Sequence, residues 1–302
     1  MKRILIVYNP RSSRFADVQK EVLSQANTLK GYIIGKYEVE NTDVDQNAAK
    51  LAKIIKDDDL IISAGGDATA SIASNSILLS GKNATLAALP YGNFNDLSRT
   101  LRTSNFHDIF NHKYHTGKLY PLEILVDNKF FRYATCYVTI GMTAEAVEIY
   151  DNPKVRKNLK KSSGRSFGSY LSLASWYFKN RHQKTFIPEF KLNNHLQHRQ
   201  TSDYAAVNGR SMARIMKGGE DYRKPKVFRS QTDRLASFWR LFKLMLKSIF
   251  FRIPGSETTD DILEFTQPAT VELQAEGEYR IFKNIKKIEI RKSDQCLKVI
   301  EN

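Results

Sequence analysis

Three short segments near the start of the chain hold residue types that can grip a phosphate. They are Asn9-Pro10-Arg11-Ser12-Ser13, Gly65-Gly66-Asp67-Ala68-Thr69 and Leu89-Pro90-Tyr91-Gly92-Asn93-Phe94-Asn95-Asp96. In the Gly65-Gly66 pair the missing side chains let backbone N–H groups approach an anion closely. A helix starting there adds a partial positive charge. A carboxylate at Asp67 suits Mg²⁺, which takes one or two carboxylates and completes its shell with phosphate oxygens and water. Thr69 offers a hydroxyl to a phosphate or to the helix start. A single motif of this kind is equally well a turn. All three, however, follow strand signals, and open α/β sheets bind ligands at the carboxyl ends of their strands.

The elements that must place these segments alternate. Strand signals at 4–7, 31–37, 60–63 and 85–88 are separated by helical signals at 15–26, 47–55 and 69–79, and a further helix opens at 94–101. Continuous apolar runs of strand length suit strands buried on both faces. The βαβα order predicts a doubly wound parallel sheet. The character changes near Gly117. Segments 122–126, 130–133 and 137–140 alternate with period two, and Asp127-Asn128 supplies hairpin chemistry between the first two. Similar segments follow at 185–192, 204–208, 270–274, 285–290 and 297–300, interrupted by helical signals at 166–180 and 233–253. The expected fold is therefore α/β + β. A doubly wound parallel domain, 1–118, precedes a mostly antiparallel β-sandwich domain, 119–302, whose last strand is free to return to the first domain.

Composition sets the boundaries. At roughly 100–200 residues per domain, a chain of 302 residues accommodates two domains. It is 41% hydrophobic with only 8 Pro and 15 Gly, which excludes a wholly disordered chain. The 47 Lys and Arg against 32 Asp and Glu leave a net charge of +15, favouring anionic partners such as nucleotides, nucleic acid or an acidic membrane surface. No nucleic-acid recognition motif accompanies that charge. Cys136 and Cys296 are too few for a disulfide framework or a cysteine zinc site, so a reducing compartment is expected. The opening apolar run ends at Asn9-Pro10 and reads as a strand, not as a secretion signal. The pairs His112/His115 and His195/His198 have no further ligands at zinc spacing.

The greasiest stretch, 238–253, is broken by Arg240, Lys243, Lys247 and Arg252 and is not a membrane span. Within 233–253, Phe238, Trp239, Phe242 and Ile249 share one helical face opposite Arg240, Lys243 and Lys247. That pattern suits a helix lying in an anionic interface. Leu244 and Phe251 on the polar side suit a helix packed inside protein. The basic run 154–165 reads either as a solvated face or as a patch drawn to lipid headgroups.

In order and spacing the three segments resemble the diacylglycerol-kinase-type catalytic domain. That family includes small bacterial lipid kinases and sphingosine kinases, with NAD-kinase-like folds nearby. The residues that carry the likeness are Asn9-Pro10-Arg11-Ser12, Gly65-Gly66-Asp67 with Thr69, and Leu89-Pro90-Tyr91-Gly92 with Asn95-Asp96-Leu97-Ser98-Arg99. It continues through Gly141-Met142-Thr143-Ala144-Glu145, Asn208-Gly209 and Glu276-Gly277-Glu278, so it covers most of the chain, with the N-terminal third the most specific.

The resemblance implies a lipid kinase with ATP in the cleft between its two domains. It would require Mg²⁺ and transfer the γ-phosphoryl group to a hydroxyl of diacylglycerol or a related lipid. Asn9, Pro10 and Ser12 would touch the nucleotide. Gly65, Gly66, Thr69, Gly92 and Asn95 would cradle its phosphates, and Asp67 and Asp96 would hold the metal. Asp67 is also a catalytic candidate. Glu276 stands where the family has an Asp serving as general base, with Glu278 as a further catalytic candidate. The partners implied are a diacylglycerol-like lipid and an anionic membrane surface, with no nucleic acid and with room for a homodimer. The place implied is cytoplasmic and peripheral to the membrane.

Several positions depart from the family pattern. Ala68 replaces a glycine, harmless at negative φ and obstructive at positive φ. Asn93-Phe94 puts bulk where Thr-Gly or Thr-Ala is usual, Ile72 replaces a Glu, and Glu276 is one methylene longer than Asp. The stretch 220–232 lacks an acidic Asp-Asp-Gly segment. An alternative is therefore a catalytically weakened kinase fold that binds nucleotide or lipid without turnover. A third reading, a soluble Gly-Gly-Asp kinase acting on NAD, fits the Leu89–Asp96 segment and the 233–253 helix less well.

Overall fold

The computed structural model describes residues 2–12, 14–40, 43–111, 114–145, 187–197, 201–212, 216–218, 222–224, 227–233 and 255–302. The helical signal 166–180, all of 233–253 beyond Asp233, the basic run 154–165, and Ser13, His112 and His198 lie outside these residues. The N-terminal strands are β1 (Lys2–Tyr8), β2 (Tyr32–Glu38), β3 (Leu60–Gly65) and β4 (Thr85–Pro90), all paired in parallel. Between β1 and β2, α1 (Phe15–Val18), a π-helical turn at Gln19–Leu23 and α2 (Ser24–Ala26) run on as one helical stretch. Then come α3 (Val44–Ala52), α4 (Asp67–Ser80), α5 (Asp96–Leu101) and α6 (Phe106–Phe110), followed by β5 (His115–Leu119).

Strand β1 shows why the sheet is doubly wound. Ile4 and Ile6 pack with Val18 and Val22 on one face, while Leu5 and Val7 pack with Val44, Leu51 and Ile72 on the other. Both faces are thus covered by helices, as the unbroken apolar run requires. Asp43 starts α3 by accepting the Gln46 N–H at 3.0 Å, and Gly81 ends α4 at φ 64°.

The second half forms one ten-stranded antiparallel sheet wrapped about its own core. Its strands are β6 (Leu122–Val126), β7 (Lys129–Ala134), β8 (Tyr137–Gly141), β9 (Phe190–Leu192), β10 (His195–Leu196) and β11 (Thr201–Val207). A separate short hairpin, β12 (Ser211–Met212) with β13 (Met216–Lys217), precedes β14 (Val227–Asp233), β15 (Ser256–Thr258), β16 (Asp260–Ala275) and β17 (Glu278–Lys292). Strand β16 changes neighbour along its length: its first half lies between β9 and β17, its second half between β8 and β17. The register breaks between Glu264 and Ala269, around Pro268, which has no N–H to give to a ladder. The segments expected at 270–274 and 285–290 are therefore parts of far longer strands.

The chain closes with β18 (Leu297–Glu301), which pairs in parallel with β4 and antiparallel with β5. The first sheet thus has the order β2-β1-β3-β4-β18-β5 and draws strands from both ends of the sequence. The two halves share an apolar seam in which Leu97 and Leu101 meet Tyr133, Cys136, Tyr137 and Val207. The Asn75 side chain crosses it, donating to the Tyr133 carbonyl at 3.0 Å and accepting the Tyr133 N–H at 2.9 Å. Asp45 meets the buried Arg132 at 2.7 Å. No helix among the described residues is long and apolar enough to cross a membrane.

Candidate active site

The three N-terminal segments meet at the carboxyl ends of β1, β3 and β4. Gly66 and Gly92 lie back to back: a Cβ on Gly92 would stand 2.2 Å from the Gly66 Cα, and one on Gly66 would stand 3.1 Å from the Gly92 Cα. Only paired glycines allow that contact. Gly65 has a different reason, since a Cβ there would fall 2.3 Å from Thr69 Oγ1. The glycine pair thus seats Thr69, which is buried, and joins two loops. The Tyr91 N–H donates to the Gly65 carbonyl at 3.0 Å. Ser12 Oγ makes a long, 3.5 Å hydrogen bond to the Tyr91 carbonyl, and Arg14 Nη1 donates to the Pro90 carbonyl at 2.8 Å. The first loop therefore lies against the third.

Some candidate side chains are spent inside their own loops. Asn9 Oδ1 accepts the Arg11 N–H at 2.9 Å, beside the half-buried Pro10. Asn95, at φ 59°, accepts the Gly92 N–H at 2.7 Å and donates to the Gly92 carbonyl at 2.8 Å. Both asparagines shape loops. Asn at positive φ is well tolerated, because its side chain can satisfy local backbone groups.

Asp67 opens α4 and reaches across to the start of α5. Its two oxygens accept the Asn95 N–H at 3.0 Å and the Asp96 N–H at 2.7 Å. The half-buried residue thus caps a neighbouring helix as well as facing the seam. Asp96 is buried, with the Ser211 hydroxyl 3.2 Å from its Oδ1. Asp67, Ala70, Asp96, Leu97, Thr135, Cys136 and Glu276 line one narrow cavity between the two halves, too tight to hold a water molecule.

Glu276 comes to that cavity on the hairpin tip joining β16 to β17. Glu276 and Gly277 have φ 53° and 89°, and Ala275 pairs with Glu278. This is the two-residue turn that matches strand twist. Turn and site coincide here: the tip is a hairpin, yet Glu276 is only 4% exposed. Its Oε1 accepts the Thr135 and Cys136 N–H groups, each at 2.7 Å, and the Thr135 hydroxyl as well. Its Oε2 is buried with no hydrogen-bonding partner among the described residues. Glu278, the further catalytic candidate, stands one position past the turn, is half-buried and does not line the cavity.

Electrostatics follow from enclosure. Burial pushes the Asp67 carboxyl above its usual range, opposed by the amides of Asp96 and Asn95. Burial likewise raises Glu276, opposed by Thr135 and Cys136 and reinforced by the charge of Asp67. The Cys136 thiol and Tyr137 hydroxyl are raised well above their ordinary values, first by burial and then by these same acids. Carboxylates crowded into one dry space hold protons more tightly unless a cation joins them.

Apart from Glu276, the departures from the family pattern do not line this cavity. Ala68 lies in the first turn of α4 at negative φ, packed against the core. Ile72 is buried within α4, and Asn93 is exposed while Phe94 is half-buried. Thr135 and the Asn208-Gly209 pair are the supporting residues that residue chemistry alone missed. No local pattern marks the first, and only family likeness marked the second.

An α/β layer with glycine-joined loops, closed by an antiparallel sheet that returns its last strand to the first, defines a two-domain kinase-type fold. Residues 3–119 match the family model of the diacylglycerol kinase catalytic domain. Over 105 residues the sequence is 35% identical to a diacylglycerol kinase of Bacillus subtilis (strain 168), covering 33% of each protein. The chain thus spans about a third of that relative's length. A solved diacylglycerol kinase from Bacillus anthracis str. Sterne superposes with a TM-score of 0.69 at 18% identity, covering 100% of this chain and 97% of the other. A second solved chain from that organism gives 0.66 at 17% identity over 100% and 97%. These two similarities establish the shared fold.

Proposed function

We propose that the protein is a lipid kinase that transfers the γ-phosphoryl group of ATP to a hydroxyl of diacylglycerol or a similar apolar lipid. The observation that carries this reading is the meeting of Asp67 and Asp96, from one half, with Glu276, from the other, in a single cavity beside the paired glycine loops. The catalytic-domain match over residues 3–119 supports the reaction class.

The donor set suits Mg²⁺ that arrives with phosphates. No group of three His, Cys, Asp or Glu among the described residues is placed to hold a metal. Asp67 and Asp96 are two carboxylates, the number Mg²⁺ takes when phosphates and water complete its shell. Bound there, it would neutralise charge building on the transferred group. Gly66 gives the first turn of α4 no side-chain cap, so a phosphate bound there would meet the helix start. Glu276 Oε2 accepts the proton of the acceptor hydroxyl. The hydroxyl oxygen bonds to the γ-phosphorus as the bond to the β,γ-bridging oxygen breaks, and ADP leaves. Because Glu276 acts ionised, turnover rises with pH through its raised pKa.

The net charge of +15 favours acceptors presented on an anionic surface. The test combines γ-labelled ATP, Mg²⁺ and mixed vesicles containing diacylglycerol. Labelled lipid is expected, and Asp67→Ala should abolish it. Nucleotide binding with no labelled acceptor would favour the non-catalytic alternative, and labelling of NAD alone would favour the NAD kinase reading.

A further inference from the structure

We propose that Thr135, together with the peptide units of the Thr135–Cys136 link, positions Glu276. This turn saturates one carboxylate oxygen and leaves the other facing the cavity as the proton acceptor. The proposal rests on the general-base reading of Glu276 and deepens it.

The link is the two-residue connection between β7 and β8. Both of its N–H groups and the Thr135 hydroxyl converge on Glu276 Oε1. Its carbonyls are held from the other side. Asn208 Nδ2 donates to the Thr135 carbonyl at 2.9 Å, while the Asn208 and Gly209 N–H groups donate to the Cys136 carbonyl at 2.7 and 2.8 Å. Asn208 is fixed in turn by donating to the Tyr120 carbonyl at 2.7 Å and accepting from Lys292 Nζ. Gly209 fits because a Cβ there would stand 3.1 Å from Cys136 Sγ. The Thr135–Cys136 peptide plane is thus held at both ends, its carbonyl by Asn208 and its N–H on Oε1.

A turn that served only stability would satisfy both oxygens. Here one carries three donors while its twin, equally buried, has none among the described residues. Glu276 also holds φ 53°, which a residue with a side chain adopts only under constraint. Donors to the charged form favour ionisation, so Thr135 sets the orientation of the acceptor and eases its loss of a proton.

The test compares Thr135→Val, which keeps shape and removes the hydroxyl, with Thr135→Ser, which keeps the hydroxyl. With MgATP and diacylglycerol vesicles, Thr135→Val is expected to lose about 10-fold to 100-fold in kcat with an unchanged KM for MgATP. The acid limb of its pH–rate profile should move up by about one unit, and Thr135→Ser should restore both. Carbon-13 NMR titration of glutamate-labelled protein reads the same shift without any acceptor, the Glu276 signal being assigned by its loss in Glu276→Gln. If Thr135→Val lowers the melting temperature yet leaves both the acid limb and the Glu276 midpoint unmoved, the positioning role is overturned. If Glu276→Gln keeps wild-type turnover, the general-base reading falls instead, while the NMR midpoint still decides whether Thr135 controls the ionisation of Glu276.

Discussion

The two sides of the seam build their acids by opposite means. On the N-terminal side, Asp67 and Asp96 sit where two loops touch backbone to backbone at Gly66 and Gly92, and each acid lies within its own short motif. On the C-terminal side, Glu276 stands on a hairpin tip and is held by Thr135, 141 positions earlier in the chain. The first side is a contiguous device fixed by the absence of side chains. The second is a dispersed one fixed by hydrogen-bond donors. The contrast predicts that small steric changes break the first, while polar substitutions break the second.

The largest effect belongs to Asp67→Ala, which removes the carboxylate proposed to hold Mg²⁺ and the cap of α5 together. Phosphoryl transfer should fall by about 10³-fold or more, read by steady-state rates, with Asp67→Asn keeping more of the stability than of the rate. Next is Gly92→Ala, whose new Cβ would meet Gly66 Cα at 2.2 Å. It should destabilise by about 1–3 kcal/mol in urea titration and also impair turnover. Gly277→Ala, on the other side, meets no atom within 4 Å but holds φ 89°, so its cost should be about 1–2 kcal/mol. A larger cost for Gly277→Ala than for Gly92→Ala would reverse the comparison. Asn75→Ala leaves both backbone groups of Tyr133 without their seam partner and should cost about 1–3 kcal/mol.

The smallest effect is a pH dependence. The folded-state pKa of Glu276 lies above its ordinary 4.5. A carboxyl raised on folding favours the folded state below its unfolded pKa, and that contribution is lost as pH rises through the folded value. In metal-free protein, Glu276→Gln should therefore gain stability on the wild type as pH climbs above 4.5. Melting temperatures across pH 4–8 check this (a flat difference would mean that Glu276 is no harder to ionise than a free carboxyl).

The same contrast governs what the sequence could reveal. The strands at 4–7, 60–63 and 85–88 are continuous apolar runs because helices cover both faces, and they were legible as such. Asp127-Asn128 was legible as a turn and takes φ 48° and 63°. The long strands β16 and β17 were read only in part, since the exposed stretch Thr266-Gln267-Pro268 interrupts the alternation where β16 changes neighbour from β9 to β8. Strand β5, His-Thr-Gly-Lys-Leu, carried no strand signal and is held by pairing with the last strand. Gly65 announced a phosphate loop, yet its lack of a side chain makes room for Thr69. Thr135 gave no signal, because what gives it a role is a carboxylate far away in sequence. Glu278 looked equivalent to Glu276, and only the turn geometry separates the buried acid from its half-buried neighbour.

Seam acids that form one metal-nucleotide site make ATP binding depend on the metal. Isothermal titration of ATP into the protein, with and without Mg²⁺, tests it directly. Binding that requires Mg²⁺, weakens strongly in Asp67→Asn and persists in Glu276→Gln is the predicted result. Equal binding with and without the metal, or wild-type affinity in Asp67→Asn, would contradict it.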